Sequence, residues 1–557
     1  AEDLGRFLED RPIRARQASK LEHAWRWCRR NPAIATLSAT ALLLLVALIT
    51  AGSVGYVRRT QALATESRLR AQAEEESRRA EANSQLAAEA FDEVFSKLSG
   101  ASPSQMVGEA NNDLWGTVPV AVSQRDAAVL TSLLQFYDRF AQQNRDSRRW
   151  EYETAMAFSR VGDIQQLLGR LEAAQDAYQR AADRFTQLYD TGTDRTKYAV
   201  GLAGIHSELG RLAQERDDFD TAFRETHRAI DLLAEPGRIT EAAAGVRFEL
   251  ARAHQQLGFL ELVRQFRPDG PAKPDAGIMR DARRQTEQAL ALLKQLAGEE
   301  PDNGEYRLLM ARCHGHLWGM SRFSGEDNQP VDHAEAAIRL LERLVDDFPN
   351  NPQYQMELAM TYSITSHATA GDGKQGRHDD GMSRVERGVT MAERLARLYP
   401  DVPNYRAVLA MCRLGLAGHL WQRQRHSDAA KEALQAVELG RVLRRDASGG
   451  RTSGILVRAL HTMVQVHYFR DEFESLRPFL EELIALESAR LDLTASPPLV
   501  PANLPDAYAL LSKVLAALGE TDQAAEAAGK AAELAPLVQP RPRPAHFGPL
   551  GGKLGER

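Results

Sequence analysis

The clearest pattern along the chain is a block from Ala33 to Val57, AIATLSATALLLLVALITAGSVGYV, twenty-five residues without a charge. Elsewhere apolar residues recur at helical spacing and strand-like alternation is nearly absent, so the chain reads as all-α. About 20 apolar residues cross a hydrocarbon core, so the block is long enough to span with some tilt. Gly52 and Gly55 are tolerable in such a helix, and Trp25 and Trp27 stand just before it, where amphipathic rings prefer the interface. A buried core helix rarely runs this long without a charge. A secretory signal has a shorter apolar region near an initiator Met. Residues 33–57 are therefore expected to form one transmembrane helix in contact with membrane lipid.

The flanks suggest a direction. Residues 13–32 carry six basic side chains (Arg14, Arg16, Lys20, Arg26, Arg29, Arg30) and one acid, Glu22. Residues 58–77 carry four basic side chains balanced by four glutamates. The positive-inside rule then places the N-terminus in the cytoplasm and the long C-terminal part outside it. Residues 58–98 hold no Pro or Gly and are rich in Ala, Glu, Arg and Gln, which predicts a helical stalk. Its thin apolar stripe leaves coiled-coil self-association open. Residues 99–123, with Ser, Pro, Gly and Asn, predict a linker.

Beyond the linker the chain repeats itself. Gly162, Gly210 and Gly258 are spaced by 48 residues, and seven positions before each stands an alanine, Ala155, Ala203 and Ala251. Further on, EEPDNGEY, DFPNNPQY and LYPDVPNY place Pro301, Pro349 and Pro400 five positions before Tyr306, Tyr354 and Tyr405. Alanines 311, 359 and 410 follow those tyrosines by five. Small residues at fixed places let two helices approach closely, and Pro ends one hairpin and starts the next. A hairpin cannot bury its apolar face alone, so such repeats stack into a solenoid.

These residues resemble tetratricopeptide (TPR) repeats. Phe158, Val161, Gly162, Gly169, Ala174, Tyr178 and Ala181 fall on that family's pattern. So do Leu209, Gly210, Ala213, Phe219, Ala222, Ala229 and Pro236, and Ala337, Leu341, Leu344 and Pro349 in the middle of the chain. Tyr508, Leu511, Leu515, Gly519, Ala524, Ala528, Ala531 and Pro536 match it closely. The 48–51 residue period exceeds the family's, and 264–279 and 371–381 look like inserted loops. The resemblance implies seven or eight TPR-like hairpins across 124–538, followed by a disordered Pro- and Gly-rich tail, 539–557.

The opening is also distinctive. Asp3-Leu4, Arg6-Phe7-Leu8, Pro12-Ile13, Ala15-Arg16 and the run from Trp25 to Pro32 (WRWCRRNP) resemble a recurring junction. It is that of bacterial membrane-anchored serine/threonine protein kinases with TPR-rich C-terminal regions, at the end of the kinase domain. The resemblance makes residues 1–32 the end of a kinase domain and a cytoplasmic juxtamembrane segment in the inner membrane. The first residue is Ala1, so the sequence is expected to begin inside a longer reading frame. The chain itself has no glycine-rich phosphate loop, VAIK-like lysine, HRD loop or DFG site. ATP and Mg are thus expected only for a preceding kinase domain, with no cofactor in these residues.

Composition removes further classes. Seventy basic and 76 acidic side chains give a net charge of −6, with both signs interleaved, so no nucleic-acid stripe is visible. Three distant cysteines argue against disulfide and zinc frameworks. His314 and His316 lie two apart on an expected helix and should face different ways, and neither they nor His461 and His467 suit one metal ion. What remains is binding of a protein or peptide. The TPR resemblance implies a groove lined by first helices, with Ser159, Asp163 and Gln166 from one hairpin and Ser207, Arg211 and Gln214 from the next. The Lys/Asn carboxylate clamp of chaperone-binding TPRs does not match there. Two functions fit: the sensing half of a receptor-like kinase, or a membrane-anchored scaffold without a functional kinase.

Overall fold

The structure, a computed structural model, describes residues 5–6, 8–9, 19–99, 124–144, 150–216, 218–234, 243–265, 275–324, 330–365, 375–446, 453–491, 500–501 and 503–538. The expected linker, from residue 100 to 123, and the expected tail, 539–557, lie outside the described residues. The chain divides into two compact units, Ala1–Glu93 and Val94–Arg557.

In the first unit, α1 (Lys20–Arg30) is capped by Ser19, whose hydroxyl accepts from Glu22 N at 3.3 Å. Asn31 ends it, and Pro32 opens α2 (Pro32–Ser99), 68 residues long. The uncharged block and the expected stalk are thus one helix. No Gly or Pro stands between Tyr56 and Ser99 to interrupt the backbone. Within the apolar block, Thr36, Thr40, Thr50 and Ser53 each donate their hydroxyl to the carbonyl four residues back, at 2.6–3.0 Å. That satisfies the hydroxyls within the helix itself. The large apolar side chains there, Leu42 to Leu45 among them, are exposed. Among the described residues, this is one helix long and apolar enough to cross a membrane.

The second unit takes in the last residues of α2 and then holds α3 (Gln124–Gln143), followed by eight antiparallel pairs among the described residues. They are α4 (Glu151–Leu167) with α5 (Leu171–Thr191), α6 (Arg195–Glu215) with α7 (Phe219–Leu233), α8 (Ala244–Gln265) with α9 (Ala276–Glu299), and α10 (Gly304–Ser324) with α11 (Pro330–Asp347). Then come α12 (Pro352–Thr365) with α13 (Gln375–Leu398), α14 (Pro403–Gln422) with α15 (His426–Asp446), α16 (Ser453–Phe469) with α17 (Phe473–Ser488), and α18 (Leu504–Ala517) with α19 (Thr521–Leu534). Each helix packs mainly on its neighbours in sequence, as in a solenoid. Helix reaches into both segments expected as inserted loops. Asp275 caps α9, accepting from Gly277 N and Ile278 N, so 276–279 are helical. Likewise α13 begins at Gln375.

The repeated landmarks have local physical causes. A Cβ on Gly162 would lie 2.5 Å from the Tyr178 ring, one on Gly210 2.9 Å from Thr226 Oγ1, and one on Gly258 2.8 Å from the Ala282 carbonyl. In each case the second helix of the pair occupies the space a side chain would need. The alanines seven positions earlier, Ala155, Ala203 and Ala251, are fully buried. In the later landmark, Pro301, Pro349 and Pro400 sit in the turns between pairs. Asn303 Oδ1 and Asn351 Oδ1 then cap the next helix, each accepting from two backbone amides. Tyr306 and Tyr405 are buried, and Tyr405 packs on Tyr399 with ring centroids 5.3 Å apart.

Four of the turns inside pairs share one geometry, with left-handed backbone at Gly169, Gln424, Asp471 and Gly519. In each, that residue's N–H bonds the carbonyl three back, and the next N–H bonds the carbonyl five back, as Gly519 to Ala516 and Glu520 to Leu515 show. Such a cap satisfies the orphan carbonyls of the first helix and reverses the chain tightly. In the last pair Ala524 and Leu515 are buried as the TPR pattern implies, but Ala528 faces solvent and Ala527 makes the contact.

Candidate partner-binding site

The first helices of neighbouring pairs pack on one another as well as on their own partners: α4 on α6, α6 on α8, α8 on α10, α12 on α14, α14 on α16. Among the described residues, second helices make no contact of that extent with each other. Closer approach on one side puts α4, α6, α8 and their successors along the inner face of the stack, where a groove would lie.

That face carries a continuous polar network across three pairs. Arg211, on α6, donates from Nη2 to Gln166 Oε1 on α4 at 2.7 Å, and its Nη1 reaches Glu215 at 3.0 Å. Gln166 Nε2 in turn donates to Glu215 Oε1 at 2.7 Å. Glu208 receives Arg211 from its own helix and Arg252 from α8, both at 2.5 Å. Arg252 also pairs with Glu249 at 3.1 Å. At the other end the Tyr178 hydroxyl donates to Asp163 at 2.8 Å and lies 3.1 Å from Gln166 Oε1, while Arg160 pairs with Asp163 at 3.2 Å.

Burial opposes the charge on Glu208, but the Arg211 and Arg252 guanidiniums outweigh it and hold the carboxyl down to about 2. Asp163 goes the other way: burial pushes its carboxyl up, against the pull of Arg160. Burial likewise raises Glu249, with Arg252 opposing and Glu208 adding to the rise. A carboxylate so firmly paired as Glu208 is a poor base, and the network's effect is to fix the register of adjacent pairs.

The six groove residues named from sequence divide accordingly. Asp163, Gln166 and Arg211 come together, but as members of this network. Gln166 is 2 % exposed and Ser207 3 %, so neither is available at a groove surface, which corrects the expectation. The reason is the close packing of α4, α6 and α8, which encloses positions that a wider groove would open. Ser159 and Gln214 are partly exposed, and Gln214 Oε1 has no hydrogen-bond partner. Sequence reading missed Glu208, Glu215, Glu249 and Arg252. The signal was present in spacing, since Arg252 stands 44 residues after Glu208 and Arg211 45 after Gln166, close to one repeat.

The same device recurs along the stack: Arg312 pairs with Glu357 at 2.8 Å between α10 and α12, and Arg384 with Glu335 at 2.7 Å between α13 and α11. His314 and His316 do face apart. The first meets His333 on α11, Nδ1 to Nδ1 at 3.0 Å, and the second is buried and stacked on Phe259. Among the described residues no group of three or more His, Cys, Asp or Glu is placed to hold a metal ion. A shallow cleft of about 520 Å³ is lined by Glu438, Arg441, Arg444, Arg445, Leu456 and Glu482, with Arg441 tied to Glu482 at 2.5 Å.

These features define an all-helical repeat protein of TPR-like hairpins. The tetratricopeptide repeat model matches residues 505–536, which are α18, its left-handed turn and α19. No curated protein matches the chain. Among solved structures, a signal-transduction ATPase with a tetratricopeptide repeat sensor from Pyrococcus horikoshii is similar at 13% identity and TM-score 0.40. The match covers 74% of this chain and 53% of that one, so this chain spans about half its length. The nuclear import adaptor Nro1 of S. pombe is similar at 12% identity and TM-score 0.38, over 58% of this chain and 98% of that one. The quorum sensor NprR from B. thuringiensis is similar at 11% identity and TM-score 0.36, over 70% and 99%.

Proposed function

We propose that this chain is the membrane-anchored, protein-binding sensor region of a receptor-like serine/threonine kinase, whose catalytic domain would precede Ala1. The observation that carries the anchored part is α2, whose uncharged block from Ala33 to Val57 has exposed apolar side chains and self-satisfied hydroxyls. The binding part rests on the hairpin stack, whose inner face is held rigid by the network around Arg211 and Glu208. A binding face fixed in this way would lose little order on taking up a peptide or protein segment. The kinase part rests on the resemblance carried by residues 3–32.

In this reading a ligand outside the cytoplasm binds the stack and biases the kinase through the population of self-associated states. The coding sequence upstream of Ala1 provides the test. Intact HRD and DFG elements in frame support the kinase, and their absence overturns it in favour of a scaffold. A reporter fused to the C-terminus tests direction: activity in the cytoplasm overturns the proposed topology.

A further inference from the structure

We infer that α1 is an interfacial helix that lies on the membrane and binds acidic phospholipid headgroups. Leu21, Ala24, Trp25 and Cys28 stand at the i, i+3, i+4, i+7 spacing of one helix face, and all four are exposed. Leu21 is 83 % and Trp25 72 % exposed, a large apolar cost in water for an eleven-residue helix. Around that face the helix carries Lys20, Arg26, Arg29 and Arg30 against one carboxylate, Glu22, which pairs with Arg26 at 3.0 Å. An apolar stripe bordered by cations is the pattern of a helix that sinks its stripe to the acyl boundary while its basic side chains reach headgroups.

The occupant follows from charge and from chain connection. Only Asn31 separates α1 from α2, and the uncharged block starts at Ala33, so a membrane-spanning α2 delivers α1 to the headgroup layer. The inference rests on that spanning reading. Near an anionic surface each cation adds attraction that falls off within a Debye length. Neutral lipid offers the apolar term alone.

The test uses the full chain in nanodiscs, with a spin label on Leu21→Cys in a Cys28→Ser background, and reads collision with a water-soluble nickel chelate. Alkaline carbonate extraction is measured in parallel. The expected result is resistance to extraction, a label shielded in phosphatidylglycerol-containing discs, and weaker shielding in phosphatidylcholine alone. Lys20→Gln and Arg29→Gln should each weaken the shielding by roughly fivefold in the acidic discs. A label equally accessible in both lipids, in a chain that resists extraction, overturns the interfacial helix and leaves the span standing. Shielding that depends on protein-to-lipid ratio and not on headgroup charge overturns it in favour of a second copy covering the face. Release by carbonate overturns the spanning reading, and this inference with it.

Discussion

Arg211 and Gln166, 45 residues apart, meet at 2.7 Å and join two successive hairpins through a bond that neither hairpin could make alone. Around that bond stand Glu208, Glu215 and Arg252, so the inner face of the first three pairs behaves as one polar unit.

Arg211→Ala should therefore destabilise the stack by roughly 2–3 kcal/mol, because Glu208, Glu215 and Gln166 each lose a charge-assisted bond in a largely enclosed site. Hydrogen exchange should rise in α4 and α6 first, with α14 to α19 unchanged. A double-mutant cycle with Gln166→Ala should show coupling of about 1 kcal/mol. Independent effects would mean that the two residues merely lie near each other.

Acid should act through Glu208. Its folded carboxyl titrates at about 2, below the ordinary carboxylate range, so the unfolded chain binds the proton first as pH falls. The stability it confers is complete above the ordinary carboxylate range and is lost as pH falls toward 2. Glu208→Gln should flatten the decline of urea midpoint between pH 4.5 and 2, while lowering the midpoint at pH 7.

Glu261 predicts the opposite slope. Burial, with Asp281 adding to it, pushes its carboxyl up to about 7, and its Oε2 has no hydrogen-bond partner. Here the folded chain keeps the proton longer, so stability falls as pH rises from about 4.5 to 7. Glu261→Gln should raise the melting temperature at pH 8 and change little at pH 4. An unchanged melting temperature at pH 8 would refute this.

The repeat glycines give a packing test. Gly258→Ala adds a methyl 2.8 Å from the Ala282 carbonyl and 2.5 Å from Thr286 Oγ1. Overpacking of that kind costs about 1–3 kcal/mol, against a helix-propensity gain of about 1 kcal/mol. The variant should be less stable by urea denaturation. At Gln424, exposed and left-handed with φ 60°, the change to Gly should instead stabilise by about 1 kcal/mol.

How much of this was legible in the sequence depends on the range of the cause. Gly162, Gly210 and Gly258 could be read because a close helix approach demands the same small residue in each copy. The turns at Pro301, Pro349 and Pro400 could be read for a similar reason, since chain reversal is set by the residues within it. Gln166 and Ser207 could not be placed. Whether a polar residue on a first helix faces a groove or a neighbouring helix depends on how tightly α4, α6 and α8 close on one another. No local pattern records that distance. The left-handed turns at Gln424 and Asp471 were hidden for another reason: neither residue is the Gly that marks Gly169 and Gly519.

The pairwise packing of the stack bears on how such a chain can change over time. Each pair rests on its immediate neighbours, so loss of α18 and α19 would leave the packing of the earlier pairs on one another in place. Removal of α8 and α9 would cut the array in two and strand Glu208 with half its cations. Repeats joined by such cross-repeat ion pairs, α4 to α9 first among them, can thus be exchanged only as a block.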